Sequence, residues 1–532
     1  MPYYRDLREY LRALETSGKL QRIKREINKD TELHPLVRLQ FRGLPEAERK
    51  AFLFENITDS RGRKYATPLA VCTLAGSTDI YALGMMCEPG GIVDKWSQAQ
   101  MHPIQPRLVT DGPVHEEVHM AQGLLEHGGL DEFPIPISTP GFDIAPYFTS
   151  PYWVTKDPET GIRNVGTYRV QVKSPVRCGL MWARSSQHIA MHWAKYRKLG
   201  RPMPAAIAIG GPPNIGYVSV AKIGADMDEF GVAGGIAGEP VELVKCRTVD
   251  LEVPAYAEIV FEGELSTSEL EPEAPFGEAI GYMGLQEMMP YFNIKCITHR
   301  KKPIWQAFLS QFPPSESSKI RQVAWENNLY KYLRFDLNMP VLVVAGHEST
   351  GANGLIVIQM DKTDQEKVWQ TLEASTKAGL VTKTVVAVDK DIDPRDADAV
   401  NFAIFSRMQP HRDTRIVKTT ALVALDRSLE SPEVYLKRDG RFTQPPEAST
   451  LLINATLKWP YPPISLPKKE FMERALTLWR EEGLPSLHLK QPWWGYELGF
   501  WTDEWQQQAD LAVQGKYYDT GEELSRRRKK LD

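Results

Sequence analysis

Between residues 167 and 261 the chain breaks into short runs of β-forming residues, at 167–172, 205–209, 241–244 and 257–261, with Gly- and Pro-rich turns between them. That spacing predicts a barrel or a sandwich. One helix candidate, 186–199, interrupts it. Past Pro313-Pro314 the pattern changes. After a helical stretch come buried-type strands at 341–345 and 354–359, a helix at 363–378 and a strand at 384–389. Strands alternating with a helix predict an α/β domain. Upstream, residues 3–27 read as an amphipathic helix, with Leu7, Leu11, Leu14 and Leu20 among charges. Strand-like runs follow at 51–54 and 67–73. The connector Phe133-Pro-Ile-Pro-Ile-Ser-Thr-Pro-Gly141 marks a domain boundary. A chain of 532 residues has room for two to four domains.

Charge and composition exclude several function classes. The formal net charge is -4, so no global field recruits nucleic acid or an anionic membrane. The basic stretch Arg526-Arg-Arg-Lys-Lys530 reads as a solvated tail. Met1-Pro-Tyr-Tyr-Arg-Asp-Leu-Arg is charged at once and has no apolar core, so no secretory signal is expected. No apolar run approaches the ~18 residues of a membrane span. The five cysteines, Cys72, Cys87, Cys178, Cys246 and Cys296, are scattered and show no CxxC spacing. Reduced thiols in a cytoplasmic protein fit that usage.

The stretch Glu273-Ala-Pro-Phe-Gly-Glu278 carries the clearest chemistry. Pro and Gly restrict the backbone between two carboxylates, so both side chains can be aimed at one place. Arg169, in Asn164-Val-Gly-Thr-Tyr-Arg169, is a candidate cation for the pair. Two carboxylates sharing a cation suit proton transfer, because burial and a neighbouring charge push their pKa values apart. His188 and His192 stand four apart on the helix candidate, on one face. Ile189 occupies the place where a zinc protease of the HExxH type needs glutamate. Gly231-Val-Ala-Gly-Gly-Ile-Ala-Gly238 lacks dinucleotide-fingerprint spacing and reads as a chain reversal. Ala208-Ile-Gly-Gly-Pro-Pro-Asn-Ile-Gly216 reads as a Gly/Pro turn. The aromatic cluster Trp493, Trp494, Tyr496, Phe500, Trp501 and Trp505 reads as packing at a subunit or domain contact.

In order and spacing these segments resemble the UbiD family of prenylated-FMN-dependent reversible decarboxylases. The resemblance includes Asp6-Leu-Arg-Glu-Tyr-Leu, Phe54-Glu55-Asn56, Thr155-Lys-Asp-Pro-Glu-Thr-Gly161, Asn164–Arg169 and Gln187-His188. It continues through Gly238-Glu-Pro-Val-Glu-Leu-Val-Lys-Cys246, Val253-Pro-Ala, Glu258-Ile-Val, Glu273–Glu278, Pro313-Pro314 and Val388-Asp-Lys-Asp-Ile-Asp393. It implies an α/β fold of three parts. These are an N-terminal α/β region (1–125), a central split β-barrel of flavin-reductase type (126–318), and a linker helix with a C-terminal α/β domain (319–532) whose aromatic tail serves oligomerisation.

The resemblance also implies roles. Asn164, His188 and Glu229 match positions that hold a divalent metal, usually manganese, which bridges to the cofactor phosphate. Thr167, Tyr168, Arg169 and Gln187 fall among cofactor-binding positions, and Ser219 falls near the phosphate and a potassium ion. Arg169, Glu273 and Glu278 match the catalytic Glu–Arg–Glu network. Losing CO₂ from an sp² carbon leaves a carbanion that side chains cannot stabilise, so a cofactor must take the electrons. In this family the modified flavin does so through a covalent adduct with the substrate, and Glu278 is expected to deliver the proton. Departures exist. Asn454-Ala-Thr stands where many relatives carry Asp-Ala-Thr, and Gly216-Tyr-Val-Ser-Val-Ala-Lys replaces an Ala-rich run. The segment 492–518 looks more like the branch acting on aromatic or heteroaromatic acids, including aryl-CoA substrates such as phthaloyl-CoA. The implied partners are an aromatic or α,β-unsaturated acid, CO₂, a flavin prenyltransferase that supplies the cofactor, and further copies of the chain in a dimer or hexamer. Two alternatives remain open. One is a non-catalytic subunit of a multi-subunit carboxylase. The other is a metal-dependent hydrolase using His188, His192 and Glu229.

Overall fold

The structure is a computed structural model, described for residues 2–182, 185–224, 226–351, 354–379, 383–418, 426–436 and 447–530. Asp6 starts the first helix, Leu7–Thr16, by accepting the Glu9 N–H at 2.9 Å. Its buried stripe is Leu7, Tyr10, Leu11 and Leu14, the i, i+3, i+4, i+7 spacing of one helical face. The predicted helix over 3–27 is thus cut short. Gly18 takes a positive φ of 68°, a conformation that ends a helix. Leu20–Asn28 is instead a strand, paired in parallel with Ala51–Thr58. Leu69–Val71 follows in the sheet, and Trp305–Ala307 returns from far along the chain to pair with it.

The β-rich middle forms a nine-stranded sheet that curls into a half-barrel. Its main path runs Tyr147–Phe148, Val170–Ser174, Arg177–Leu180, Tyr291–His299, Ile259–Leu265, Met203–Ile209, Tyr152–Lys156 and Arg163–Gly166. The strand Glu117–Met120 pairs beside Tyr291–His299. The run expected at 241–244 is the strand Glu242–Lys245, which lies in a separate three-stranded sheet with Glu252–Pro254 and Arg107–Leu108. The helix His188–Lys198 packs on the curled sheet.

Two glycine-rich stretches differ from expectation. Gly231–Gly238 is not a reversal but most of the helix Glu229–Ala237, closed by Gly238 at φ 76°. A Cβ on Gly234 would stand 2.3 Å from the Ile104 carbonyl oxygen, so the helix lies against neighbouring backbone that only glycine admits. Residues 208–216 hold a turn at Gly210 and then the helix Pro213–Val220.

Ser315 caps the helix Glu316–Lys331 and begins the C-terminal part. Its sheet runs Val341–Gly346, Leu355–Met360, Thr384–Asp389, Ser449–Ala455 and Thr414–Lys418, with the three central strands parallel. The helix Gln365–Lys377 packs against it as the alternation predicts. The last three helices, Lys469–Glu481, Asp503–Val513 and Tyr517–Ser525, bury no residue. No helix among the described residues is long and apolar enough to cross a membrane.

Candidate active site

Seven consecutive residues, 163 to 169, connect two clusters of polar side chains. The strand Arg163–Gly166 supplies the first cluster, and the link to Val170–Ser174 supplies Arg169 for the second.

In the second cluster, Arg169 donates through Nε to Glu273 Oε1 at 2.9 Å and through Nη2 to Glu273 Oε2 at 2.7 Å. Its Nη1 donates to Glu278 Oε1. Glu273 ends the strand Glu271–Glu273, which pairs with Glu287–Met289. The next hairpin, Phe276–Gly277 against Met283–Gly284, carries Glu278 at its end, where the Glu278 N–H donates to the Tyr282 carbonyl at 2.8 Å. A Cβ on Gly284 would come within 2.8 Å of Glu278 Oε1, so the missing side chain leaves room for the carboxylate. The Phe276 ring lies 5.1 Å from the Arg169 guanidinium. Glu273 is fully buried and Glu278 is 8% exposed. Burial pushes the Glu278 carboxyl above its ordinary range. Arg169 pulls it back only in part, and the Glu273 charge adds to the rise. Among the described residues nothing donates a hydrogen bond to Glu278 Oε2, so a proton or a substrate can reach that atom without displacing a partner.

The first cluster forms where the helix Glu229–Ala237 begins. Arg163 bonds Asp228 at 2.9 Å and Glu252 at 3.1 Å, and Asp228 caps the helix through the Phe230 N–H. Glu229 is therefore held at the first helical position. Its Oε2 accepts the Val165 N–H at 3.0 Å, and its Oε1 lies 3.4 Å from His188 Nδ1. Burial raises the Glu229 carboxyl, and His188 opposes the rise. Asn164, buried, bonds Thr155 Oγ1 at 3.5 Å. Thus Asn164, His188 and Glu229 gather around residues 164–168. His192 does not join them. Its Nδ1 pairs with Thr155 Oγ1 at 2.9 Å, and burial lowers its pKa to about 4. Gln187 precedes the His188 helix in the capping position. Thr167 and Ser219 share a hydroxyl hydrogen bond of 2.8 Å, and the Thr167 N–H donates to the Ser219 carbonyl.

An amide oxygen, an imidazole and a carboxylate form a donor set for a divalent cation of the Mn²⁺ type. The His188–Glu229 separation of 3.4 Å is close to the distance between neighbouring ligands on such an ion. These residues fit a metal.

Sequence reading missed four participants. Arg163 and Asp228 position Glu229. Asp143 accepts the Gly277 N–H at 3.2 Å at the base of the Glu278 hairpin, and burial raises it to about 6. Arg321, on the helix Glu316–Lys331, keeps Nη2 buried without a hydrogen bond and acts on Glu278 electrostatically. Only Asp228 had a legible signal, a capping residue before an apolar run.

Comparison with known proteins adds to this geometry. The family model described as 3-octaprenyl-4-hydroxybenzoate carboxy-lyase Rift-related domain (UbiD) matches residues 107–313. The corresponding C-terminal domain model matches residues 328–442. A protein of Archaeoglobus fulgidus, described as uncharacterized, is 31% identical over 482 residues, spanning 86% of this chain and 92% of its own. The UbiD-class enzyme HmfF from Pelotomaculum thermopropionicum, solved in complex with FMN, is 30% identical with a TM-score of 0.73, over 85% of this chain and 94% of that one. An evolved dimeric form of HmfF, solved with prFMN, is 29% identical with a TM-score of 0.72, over 85% and 95%. Vanillic acid decarboxylase from Sedimentibacter hydroxybenzoicus shares the fold, at 24% identity and a TM-score of 0.72 over 90% and 99%.

Proposed function

The chain belongs to the UbiD family of carboxy-lyases, and from that premise we propose that it catalyses the reversible, non-oxidative decarboxylation of an aromatic, heteroaromatic or α,β-unsaturated carboxylic acid. The observation that carries this reading is Arg169 holding Glu273 and Glu278 together while, among the described residues, Glu278 keeps one oxygen unbonded. We further propose prenylated FMN as the cofactor, with a divalent cation such as Mn²⁺ held by Asn164, His188 and Glu229, and K⁺ beside Ser219. Thr167, Tyr168 and Gln187 line the same segment. When bound, the modified flavin would supply the electron sink that the carbanion left by CO₂ requires.

The chain's own residues do the rest. Glu278 in its neutral form holds the proton that replaces CO₂, and its burial favours that form. Arg169 stays cationic, because the Glu278 and Glu273 charges outweigh the burial that opposes its charge. It therefore holds both carboxylates in one geometry through protonation and release. Glu273 keeps Arg169 in place and raises Glu278. The exposed aromatic residues Trp459, Phe500, Trp501 and Trp505 support self-association through the C-terminal part.

The test is mass spectrometry and a UV–visible spectrum of protein co-expressed with a flavin prenyltransferase, followed by a screen of benzoate-type, heteroaromatic, cinnamate-type and aryl-CoA acids. Bound prenylated FMN and CO₂ release from one of these classes are expected. Folded, manganese-loaded protein with no flavin and no turnover would overturn the reading.

A further inference from the structure

His119, Glu132 and His299 converge elsewhere on the central sheet and share no residue with the clusters above. His119 lies on the strand Glu117–Met120 and His299 ends the strand Tyr291–His299. The two strands pair antiparallel with Ile297 opposite His119 and His299 opposite Glu117. The histidines are therefore diagonal neighbours on one face of the sheet. Glu132 closes the turn Gly129–Glu132, just ahead of the Pro-rich connector. Its Oε2 lies 3.3 Å from His119 Nδ1, and its Oε1 lies 3.3 Å from His299 Nε2.

We propose that these three residues form a second divalent-cation site, suited to Zn²⁺, that clips the strand Glu117–Met120 and the start of the connector to the central sheet. His119 is 6% exposed and His299 5%. His119 Nδ1, His299 Nε2 and Glu132 Oε2 are buried and make no hydrogen bond. His299 Nδ1 lies 2.7 Å from the Arg300 carbonyl, which can only accept, so Nδ1 carries the proton. In the neutral ring Nε2 then presents a bare lone pair to a carboxylate oxygen. Two electron-rich atoms face each other stably only with a cation or a proton between them.

Burial lowers the pKa of the His299 imidazole but Glu132 raises it overall, so a proton on Nε2 competes with the cation, and the spacing favours the cation. A charge-assisted N–H···O bond spans about 2.7–2.9 Å. Two ligands of a tetrahedral zinc with bonds of about 2.0–2.2 Å stand about 3.3–3.5 Å apart. Each histidine contact here is 3.3 Å, one to each Glu132 oxygen, and with one ligand atom taken from each residue the three lie within 4.8 Å of one another, so a metal bound through a single Glu132 oxygen keeps a fourth position. An imidazole that ligates through one nitrogen and donates the other N–H to a carbonyl is the usual outer arrangement of such sites. His127, exposed, stacks on the His119 ring at 3.8 Å and shields it. Glu132 is partly exposed, which leaves an approach for water as the fourth ligand.

The test uses the full chain carrying His188→Ala, which disables the other candidate metal cluster, after treatment with chelator. Zn²⁺ is titrated by calorimetry, Co²⁺ is followed by its visible absorption, and unfolding is followed with and without Zn²⁺. One equivalent of Zn²⁺, tetrahedral cobalt bands and a rise in the unfolding midpoint of several degrees are expected. All three should be lost on adding either Glu132→Gln or His119→Asn with His299→Asn, the second variant guarding against misfolding of the first. No zinc binding by the His188→Ala protein, or undiminished binding in the folded variants, would overturn the proposal. Because His188→Ala is made without reference to turnover, the outcome is independent of the carboxy-lyase reading.

Discussion

Several arginines among the described residues stand between two carboxylates, and two of them, Arg407 and Arg169, are built to opposite ends. Arg407, 1% exposed in its side chain, bonds Asp389 at 2.7 Å and Asp391 at 2.8 and 2.6 Å. The bonded oxygens are then occupied again. Asp391 accepts the Tyr496 hydroxyl at 2.7 Å, and Asp389 accepts the Leu457 N–H at 2.8 Å. Burial opposes ionisation of Asp391, but the Arg407 and Tyr496 bonds overcome it and hold the carboxyl below its ordinary range. At Arg169 the balance is reversed. Glu278 has one bonded oxygen and one unbonded, and burial raises it. In the first network each Arg407 Nη atom has a carboxylate and Asp391 is held charged, while burial raises Asp389 against the pull of the Leu457 N–H and Arg407. The second has spare hydrogen-bonding capacity and a carboxyl that can be neutral.

The largest expected effect breaks the open network. Glu278→Gln keeps the shape and the bond from Arg169 but removes the proton. Turnover should fall by ~10²–10⁴-fold or more while the fold and bound cofactor persist. Steady-state rates beside a flavin spectrum and a melting curve measure both halves. Turnover at the wild-type rate would remove Glu278 from the role. The closed network should respond the other way. Arg407→Leu leaves Asp389 and Asp391 without their cation, at a stability cost of about 3–5 kcal/mol. The rate per folded molecule should stay the same. Denaturant unfolding and active-site-normalised rates separate the two, and a lost rate with intact stability would make Arg407 part of the site.

The Arg169 network was read from the sequence, on its turn residues and on the family resemblance, whereas the Arg407 network was not. Glu273, Glu278 and Arg169 stood out as text because Pro, Phe and Gly between the glutamates promise a fixed turn. That they meet depends on two hairpins packing against a strand a hundred residues earlier, which no local pattern encodes. The short β runs located the central strands, because Gly and Pro bound them on both sides. The alternation after Pro313 located the C-terminal sheet for the same kind of reason. Errors arose where one residue type served two ends. Gly18 stops the first helix, whereas Gly234 and Gly235 lie inside one, because there the backbone of residues 99–104 comes too close for a side chain. Arg321 and Asp143 come from segments with no motif, and only the tertiary fold places them beside Glu278 or its hairpin.

The pH profile sharpens the comparison. Decarboxylation needs Glu278 protonated, so kcat should be flat at low pH and fall about tenfold per unit above the pKa of the enzyme-bound group. Since burial and Glu273 both raise that pKa, the descending limb should lie above the ordinary glutamate range. Glu273→Gln removes the like charge and should move the limb to lower pH. A limb that stays fixed in this variant would show that another group controls it.

Arg321 carries the smallest expected effect and completes the contrast. Each Arg407 Nη atom has a carboxylate partner. Among the described residues Arg321 bonds only the Ser317 carbonyl through Nε, at 2.8 Å, while Nη2 is buried and unbonded. Burial lowers its pKa to about 10, and the Glu278 charge pulls it back up. A buried guanidinium nitrogen without a partner costs stability until an anion arrives, and the substrate brings a carboxylate. Arg321→Met should therefore raise KM about tenfold or more, the worth of a hydrogen bond between charged groups. It should change kcat little and leave stability equal or higher, because the uncompensated charge is gone. The opposite split, a lower kcat at constant KM, would mean that Arg321 acts on Glu278 rather than on the substrate. That distinction matters because CO₂ departure removes the anion, so a group that binds only the carboxylate releases its hold as the proton is delivered.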